Sequence, residues 1–181
     1  FQCKLMKLKT ILLTLTFIFG ISNTSFADFE DGLTAYNSGD YTKAFQEWKI
    51  LAEDGQVRAQ YNIAWMHAYG VGTLKDYQAS VGWYMKAAEQ GYVHAQYNLA
   101  NMYLRGDVRN DEEAVYWFRR AAEQGDAPAQ YNLGLMYANG KGVTKDMAQC
   151  KIWIKKAAEN NDAKIQVLAE TFWKEQELDK Y

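Results

Sequence analysis

The sequence predicts an all-α fold assembled from stacked helix pairs, and three observations carry that prediction. The string Ala59-Gln60-Tyr61-Asn62-Ile63-Ala64 recurs as Ala95-Gln96-Tyr97-Asn98-Leu99-Ala100 and as Ala129-Gln130-Tyr131-Asn132-Leu133-Gly134, at separations of 36 and 34 residues. Met66, Met102 and Met136 close the copies. A second string, Ala87-Ala88-Glu89-Gln90-Gly91, returns as Ala121-Ala122-Glu123-Gln124-Gly125, with looser versions at Leu51-Ala52-Glu53-Asp54-Gly55 and Ala157-Ala158-Glu159-Asn160-Asn161. A repeat of this length marks an array of supersecondary units that bury their apolar faces against one another. Finally, 49% of the 181 residues are hydrophobic and only one is proline, which gives enough apolar surface for a core and excludes a Pro-rich linker.

Residues 1–27 differ in character from the rest. Lys4, Lys7 and Lys9 precede an apolar stretch, Ile11 to Ile21, and Ser25-Phe26-Ala27 follows as a small-residue cleavage pattern. This reads as a secretory signal peptide, too short to span the bilayer as a helix, cut after Ala27. Phe1 is not a usual start residue and Met6 is a candidate start; a start there would leave Cys3 without a role. Cleavage leaves Cys150 as the one cysteine, so no intrachain disulfide is expected and no membrane span remains. The expected location is periplasmic or secreted.

Beyond the leader the reading is a helical pair at 28–56, three repeats at 57–92, 93–126 and 127–162, and a capping helix at 163–181. In the first helix of a repeat, Ala95, Leu99, Met102 and Tyr103 share one face, and Gly70, Gly106 and Gly140 stop these helices in a left-handed turn. Asp76, Asp111 and Asp146 are expected to open the second helices, and Lys86, Arg119, Arg120, Lys155 and Lys156 to close them, in accord with the helix dipole. Pro128 falls in a first turn, where its missing N–H is harmless. Val167, Leu168, Phe172 and Trp173 supply the apolar side of the capping helix.

The succession Ala-Gln-Tyr-Asn-Leu-Gly-x-Met-Tyr, Gly-x-Gly-Val-x-x-Asp and Trp-x-x-Lys-Ala-Ala-Glu resembles the Sel1-like repeat, with residues 127–162 matching best. The resemblance implies an α/α superhelical solenoid of Sel1-like repeats, related to tetratricopeptide arrays, and a role as adaptor or scaffold for other proteins. Departures are local. The middle unit shortens its loop to Gly106-Asp107-Val108-Arg109-Asn110-Asp111, His67 replaces the tyrosine found at Tyr103 and Tyr137, and Asn161 stands where glycine is usual. Asparagine tolerates the left-handed conformation expected there.

Recurring positions are explained by shared packing: Trp48, Trp83, Trp117 and Trp153 as core, and Asn62, Asn98 and Asn132 as ties to backbone groups between helices. Cys150 reads as a small buried residue, with a reactive thiol as the lesser alternative. Positions that vary within the fixed frame are the candidates for choosing a partner. Trp65, Asn101 and Leu135 correspond to one another, as do Tyr69, Arg105 and Asn139, and by the tetratricopeptide analogy they face a groove. Trp65 alternatively covers the N-terminal pair.

Catalytic chemistry finds little support. His67 and His94 have no partners at metal-ligand spacing, and Gly70-Val71-Gly72 and Gly140-Lys141-Gly142 follow helices, unlike phosphate loops. Neither Ser-x-x-Lys nor Lys-Thr-Gly occurs, which argues against β-lactamase activity. No cofactor and no metal are expected. A net charge of −2 lacks the basic excess that nucleic acid requires. The sequence thus points to an exported, non-catalytic adaptor in or near a bacterial envelope, binding a protein or peptide. The alternative is a cell-wall carbohydrate-binding protein or hydrolase.

Overall fold

The computed structural model describes residues 28–105 and 108–181. The leader, Cys3 and the stop glycine Gly106 lie outside the described residues, as does Asp107. The described residues hold nine α-helices and no strand: α1 Phe29–Asn37, α2 Tyr41–Glu53, α3 Val57–Tyr69, α4 Tyr77–Glu89, α5 Val93–Tyr103, α6 Asp111–Glu123, α7 Ala127–Asn139, α8 Met147–Ala158 and α9 Ala163–Glu175. A 3₁₀ turn, Leu178–Lys180, follows. Each helix packs on the next, and α9 also reaches back to α7, so hairpins stack in chain order as an all-α solenoid.

Local chemistry sets the boundaries. Asp28, Asp40, Asp76, Asp126, Asp146 and Asp162 cap helix N-termini through a side-chain oxygen; Asp76, for instance, accepts the Ala79 N–H at 2.9 Å. In the middle unit the cap is Asn110, which accepts from Glu112 and Glu113, and Asp111 is the first helical residue, one position later than expected. The cap's own N–H explains the register. Asp76, Asn110 and Asp146 each donate to a carbonyl on the preceding helix, that of His67, Tyr103 and Tyr137 respectively, at 2.9, 2.8 and 3.0 Å. This closing bond survives the two-residue deletion, and α5 ends at 11 residues where α3 and α7 have 13.

Gly70 and Gly140 end α3 and α7 with φ of 70° and 65°, as expected of a left-handed stop. Asn161 does not take that conformation: among the described residues the one non-glycine with positive φ is Glu177. The turn after α8 also lacks the bond that Gln56, Tyr92 and Asp126 make back to Leu51, Ala87 and Ala121, so asparagine there changes the turn.

The core repeats in a fixed register. Ala44, Ser80, Ala114 and Cys150 occupy one fully buried slot four residues after each cap, and Trp48, Tyr84, Phe118 and Ile154 fill the slot four further on. Trp48 therefore corresponds to Tyr84 and not to Trp83, correcting the beat read from the sequence. It is 3% exposed, donates Nε1–H to the Phe29 carbonyl at 3.1 Å, and leaves no room for a side chain at Gly32. Gly134 is similarly excluded from having a Cβ by Ile154 Cδ1, which would lie 2.7 Å away. Trp83, Trp117 and Trp153 share a flanking slot, each under a cation one turn later: Lys86 at 4.0 Å, Arg120 at 5.8 Å and Lys156 at 4.2 Å.

The tie between helices is glutamine, not asparagine. Gln60, Gln96 and Gln130 are buried and donate to the carbonyls of Ala52, Ala88 and Ala122 at 3.2, 3.0 and 3.1 Å. Asn98 instead donates to the Tyr61 hydroxyl at 3.2 Å, a side-chain link to the preceding unit. In the tail, Ile165, Ala169 and Leu178 are buried and Phe172 and Trp173 partly so, whereas Val167 and Leu168 point to solvent, contrary to the apolar side expected.

Candidate partner-binding site

The second glycine of each Gly-x-Gly connection is an inter-unit contact. A Cβ on Gly72 would collide with the Tyr41 carbonyl at the start of α2, and one on Gly142 with the Asp111 carbonyl at the start of α6. Both have positive φ, so glycine is required twice over, for conformation and for approach. At the intervening step the corresponding helix start is Tyr77 on α4. The middle unit's connection is the one shortened in sequence, and it carries no second glycine. A cavity of about 580 Å³ lies at this step, lined among others by Tyr69, Lys75, Tyr77, Asn101, Arg105 and Val108.

Three of the six positions read from the sequence thus meet at one place: Tyr69 from the end of α3, and Asn101 and Arg105 from α5 and its C-terminal turn. Trp65 lies one turn before Tyr69, with ring centroids 5.0 Å apart, but is partly buried and packs edge-on against Tyr36 of α1. It bridges the two core clusters, so covering the N-terminal pair is its visible role. Leu135 and Asn139, on α7, do not line this cavity, and Asn139 donates to the Leu135 carbonyl at 2.8 Å within its own helix. Asn101 does likewise to Tyr97 at 3.0 Å.

Sequence reasoning missed Lys75, Tyr77 and the exposed Leu74, all in the connection before α4 or at its start. Tyr84 lies at the inner wall, where burial pushes its phenol well above the usual range and keeps it protonated. Tyr61 beside it is raised by burial too, an effect partly offset by the Asn98 hydrogen bond.

The Sel1 repeat profile matches residues 57–92, 93–126 and 127–162. The chain belongs to the Sel1-repeat family. Among solved structures it is similar to a Sel1 repeat protein from Oxalobacter formigenes, with a TM-score of 0.72 and 31% identity over 81% of this chain and 61% of that one. It is also similar to c5321, a protective antigen present in uropathogenic Escherichia coli strains and displaying an SLR fold, with a TM-score of 0.66 and 40% identity. That match covers 72% of this chain and 28% of the antigen, so the chain spans less than two thirds of the length of either relative. No curated protein sequence matches it. Sel1-repeat proteins are generally non-catalytic scaffolds for protein interaction.

Against that background, the polar groups of this Sel1 array serve mainly to hold units together. A second hollow, of about 520 Å³, is lined by Arg119, Glu123, Tyr137, Asp146 and Trp153. Its Asp146 caps α8 and its Arg119 donates to the Tyr137 hydroxyl at 2.7 Å. Among the described residues no group of His, Cys, Asp and Glu is arranged to hold a metal, and no helix is long and apolar enough to cross a membrane. His67 stands edge-on to Phe45 at 5.2 Å, and His94 packs against Tyr92 at 5.6 Å, so both imidazoles are walls of aromatic clusters. Cys150 is a free, buried thiol held up to about 11 by desolvation, which leaves it neutral and unreactive at ordinary pH.

Proposed function

We propose that this Sel1-repeat chain is an exported, non-catalytic scaffold that binds a protein or peptide on the concave face of a short α-solenoid, through the ends of α3 and α5. The observation that carries this reading is the cavity of about 580 Å³ on which Tyr69, Asn101 and Arg105 converge. Aromatic residues and arginine concentrate binding energy at interfaces, and a preformed recess spares the partner's ordering cost on this side. Export rests on the basic, then apolar, then small-residue pattern of the first 27 residues.

Crosslinking in intact cells, followed by affinity capture and mass spectrometry, tests the reading. A polypeptide captured by the native chain and lost from Tyr69→Ala with Arg105→Ala, at unchanged far-UV helicity, supports it. Capture that ignores both substitutions removes the assignment. Export is tested separately: cell fractionation and N-terminal sequencing should find a mature chain beginning at Asp28.

A further inference from the structure

We infer that the hollow between α6 and α8 binds a free α-amino acid, with its carboxylate on Arg119 and Lys145, its ammonium on Glu123 and its side chain against Val143 and Trp153. The hollow shares no lining residue with the cavity proposed for docking, so the amino-acid site stands independently of that reading.

Counted from the N-cap, α2, α6 and α8 carry a cation and a glutamate at the same two places, one helical turn apart: Lys49 with Glu53, Arg119 with Glu123, and Lys155 with Glu159. The first and last pairs close, at 3.9 and 3.8 Å. The middle pair stays open, and the ion pairs among the described residues include neither Arg119 nor Glu123. Arg119 is turned aside because its guanidinium donates to the Tyr137 hydroxyl at 2.7 Å. In the first unit His67 stands at the place of Tyr137, and Lys49 falls back on Glu53.

Both charges of the open pair line a hollow of about 520 Å³. Lys145 adds a second cation outside those ion pairs, and Asp146 has its carboxylate engaged by the Gln149 N–H at 2.9 Å. An α-amino acid holds its carboxylate and ammonium on either side of one carbon, which suits opposite charges whose Cβ atoms lie about 5–6 Å apart on a helix. A plain anion would face Glu123 unmatched, and a plain cation would meet Arg119 and Lys145. Trp153, 7% exposed, forms an apolar wall with Val143. The volume lies within the range of small-molecule recesses and holds one amino acid with bridging water.

Isothermal titration calorimetry of the full-length chain with L-phenylalanine should give saturable binding with a Kd on the order of 1 mM, as befits ion pairs that keep contact with solvent. N-acetyl-phenylalanine, which lacks the ammonium, and phenylalaninamide, which lacks the carboxylate, should each bind at least about fivefold more weakly. Arg119→Gln and Glu123→Gln should each weaken phenylalanine by about threefold or more, whereas Lys155→Gln and Glu159→Gln, in the closed pair of α8, should leave it unchanged. Tyr137→Phe probes the arrangement without removing a charge. It releases Arg119 to close on Glu123, so binding should fall although both ions remain, with far-UV helicity unchanged in every variant. Absence of saturable binding up to about 20 mM, equal binding of the three ligands, equal effects of the α6 and α8 substitutions, or indifference to Tyr137→Phe would each overturn the inference.

Discussion

The side-chain amide of Gln90 donates to Oε1 of Gln60 at 2.8 Å, and Gln60 donates in turn to the Ala52 carbonyl at 3.2 Å. The same relay runs from Gln124 through Gln96 to Ala88, and from Asn160 through Gln130 to Ala122. Its first member closes one unit and its second opens that same unit, while the final carbonyl belongs to the unit before. Each relay therefore staples a helix pair to its predecessor inside a dry stack, where an orphaned amide costs about 1–3 kcal/mol.

Removing the central glutamine should therefore be more damaging than removing the outer one. Gln96 is fully buried, so Gln96→Ala removes two hydrogen bonds at once, its donation to the Ala88 carbonyl and its acceptance from the Gln124 amide, leaves a void in the stack, and is expected to lower stability by about 2 kcal/mol. Gln124 is exposed, water replaces its partner, and Gln124→Ala should cost about 1 kcal/mol or less. Urea unfolding followed by circular dichroism checks both, and equal losses would refute the relay.

The two glycine roles separate in a comparison of Gly142 with Gly125. Both have positive φ, so alanine carries a conformational penalty of about 1–2 kcal/mol at either place. At Gly125 nothing lies within reach of a Cβ, whereas at Gly142 it would strike the Asp111 carbonyl. Gly142→Ala should exceed Gly125→Ala by at least about 1 kcal/mol and shift the thermal midpoint accordingly. That contact is reinforced by Asp111 itself, whose carboxyl is held below its ordinary range by the Arg109 hydrogen bond and by Lys141.

Much of this was legible because repetition within one chain fixes a register without any second sequence. The stop glycines Gly70 and Gly140, the caps Asp76 and Asp146 and the small slot at Cys150 follow from spacing. Trp48 was misplaced because the indole is conspicuous and its offset from the Ala52 position is four residues, not the five of Trp83, Trp117 and Trp153. Counting from the cap at Asp40 would have aligned it with Tyr84. The glutamines were read as part of a motif without a task, since a relay through three residues on three helices is a property of stacking and leaves no trace in a single helix. The cavity likewise gathers residues from α3, α4 and α5, a meeting that no single helix announces.

Cys150 gives a pH prediction with a definite sign. Burial raises its thiol from 9.0 to about 11, so between those values the folded chain holds a proton that the unfolded chain has released. Its contribution to stability is constant below pH 9 and is lost as pH climbs towards about 11. Urea midpoints should therefore fall more steeply across this window in the native chain than in Cys150→Ala, a replacement the same slot already holds at Ala114. At pH 8, iodoacetamide should label the peptide containing Cys150 only after unfolding, as read by mass spectrometry. Rapid labelling of the folded chain would contradict the buried, neutral thiol.

A graft tests whether the cavity depends on the deletion. Replacing residues 106–109 by the six residues Gly140–Lys145 restores the length and the second glycine found in the other two connections, while Asn110 keeps its cap and its bond to Tyr103. The grafted Gly-x-Gly should settle on the start of α4 as Gly72 does on α2 and Gly142 on α6, covering Tyr77 and filling the cavity. Stability should hold or rise, because apolar surface is buried at a step that was open, at about 25 cal/mol per Å². Crosslinked capture of the polypeptide partner should fall at least about tenfold in the same protein. Lost capture with retained or raised thermal stability would tie docking to the cavity, since ordinary damage would lower both. Retained binding in a stably folded graft would place the docking surface elsewhere on the array.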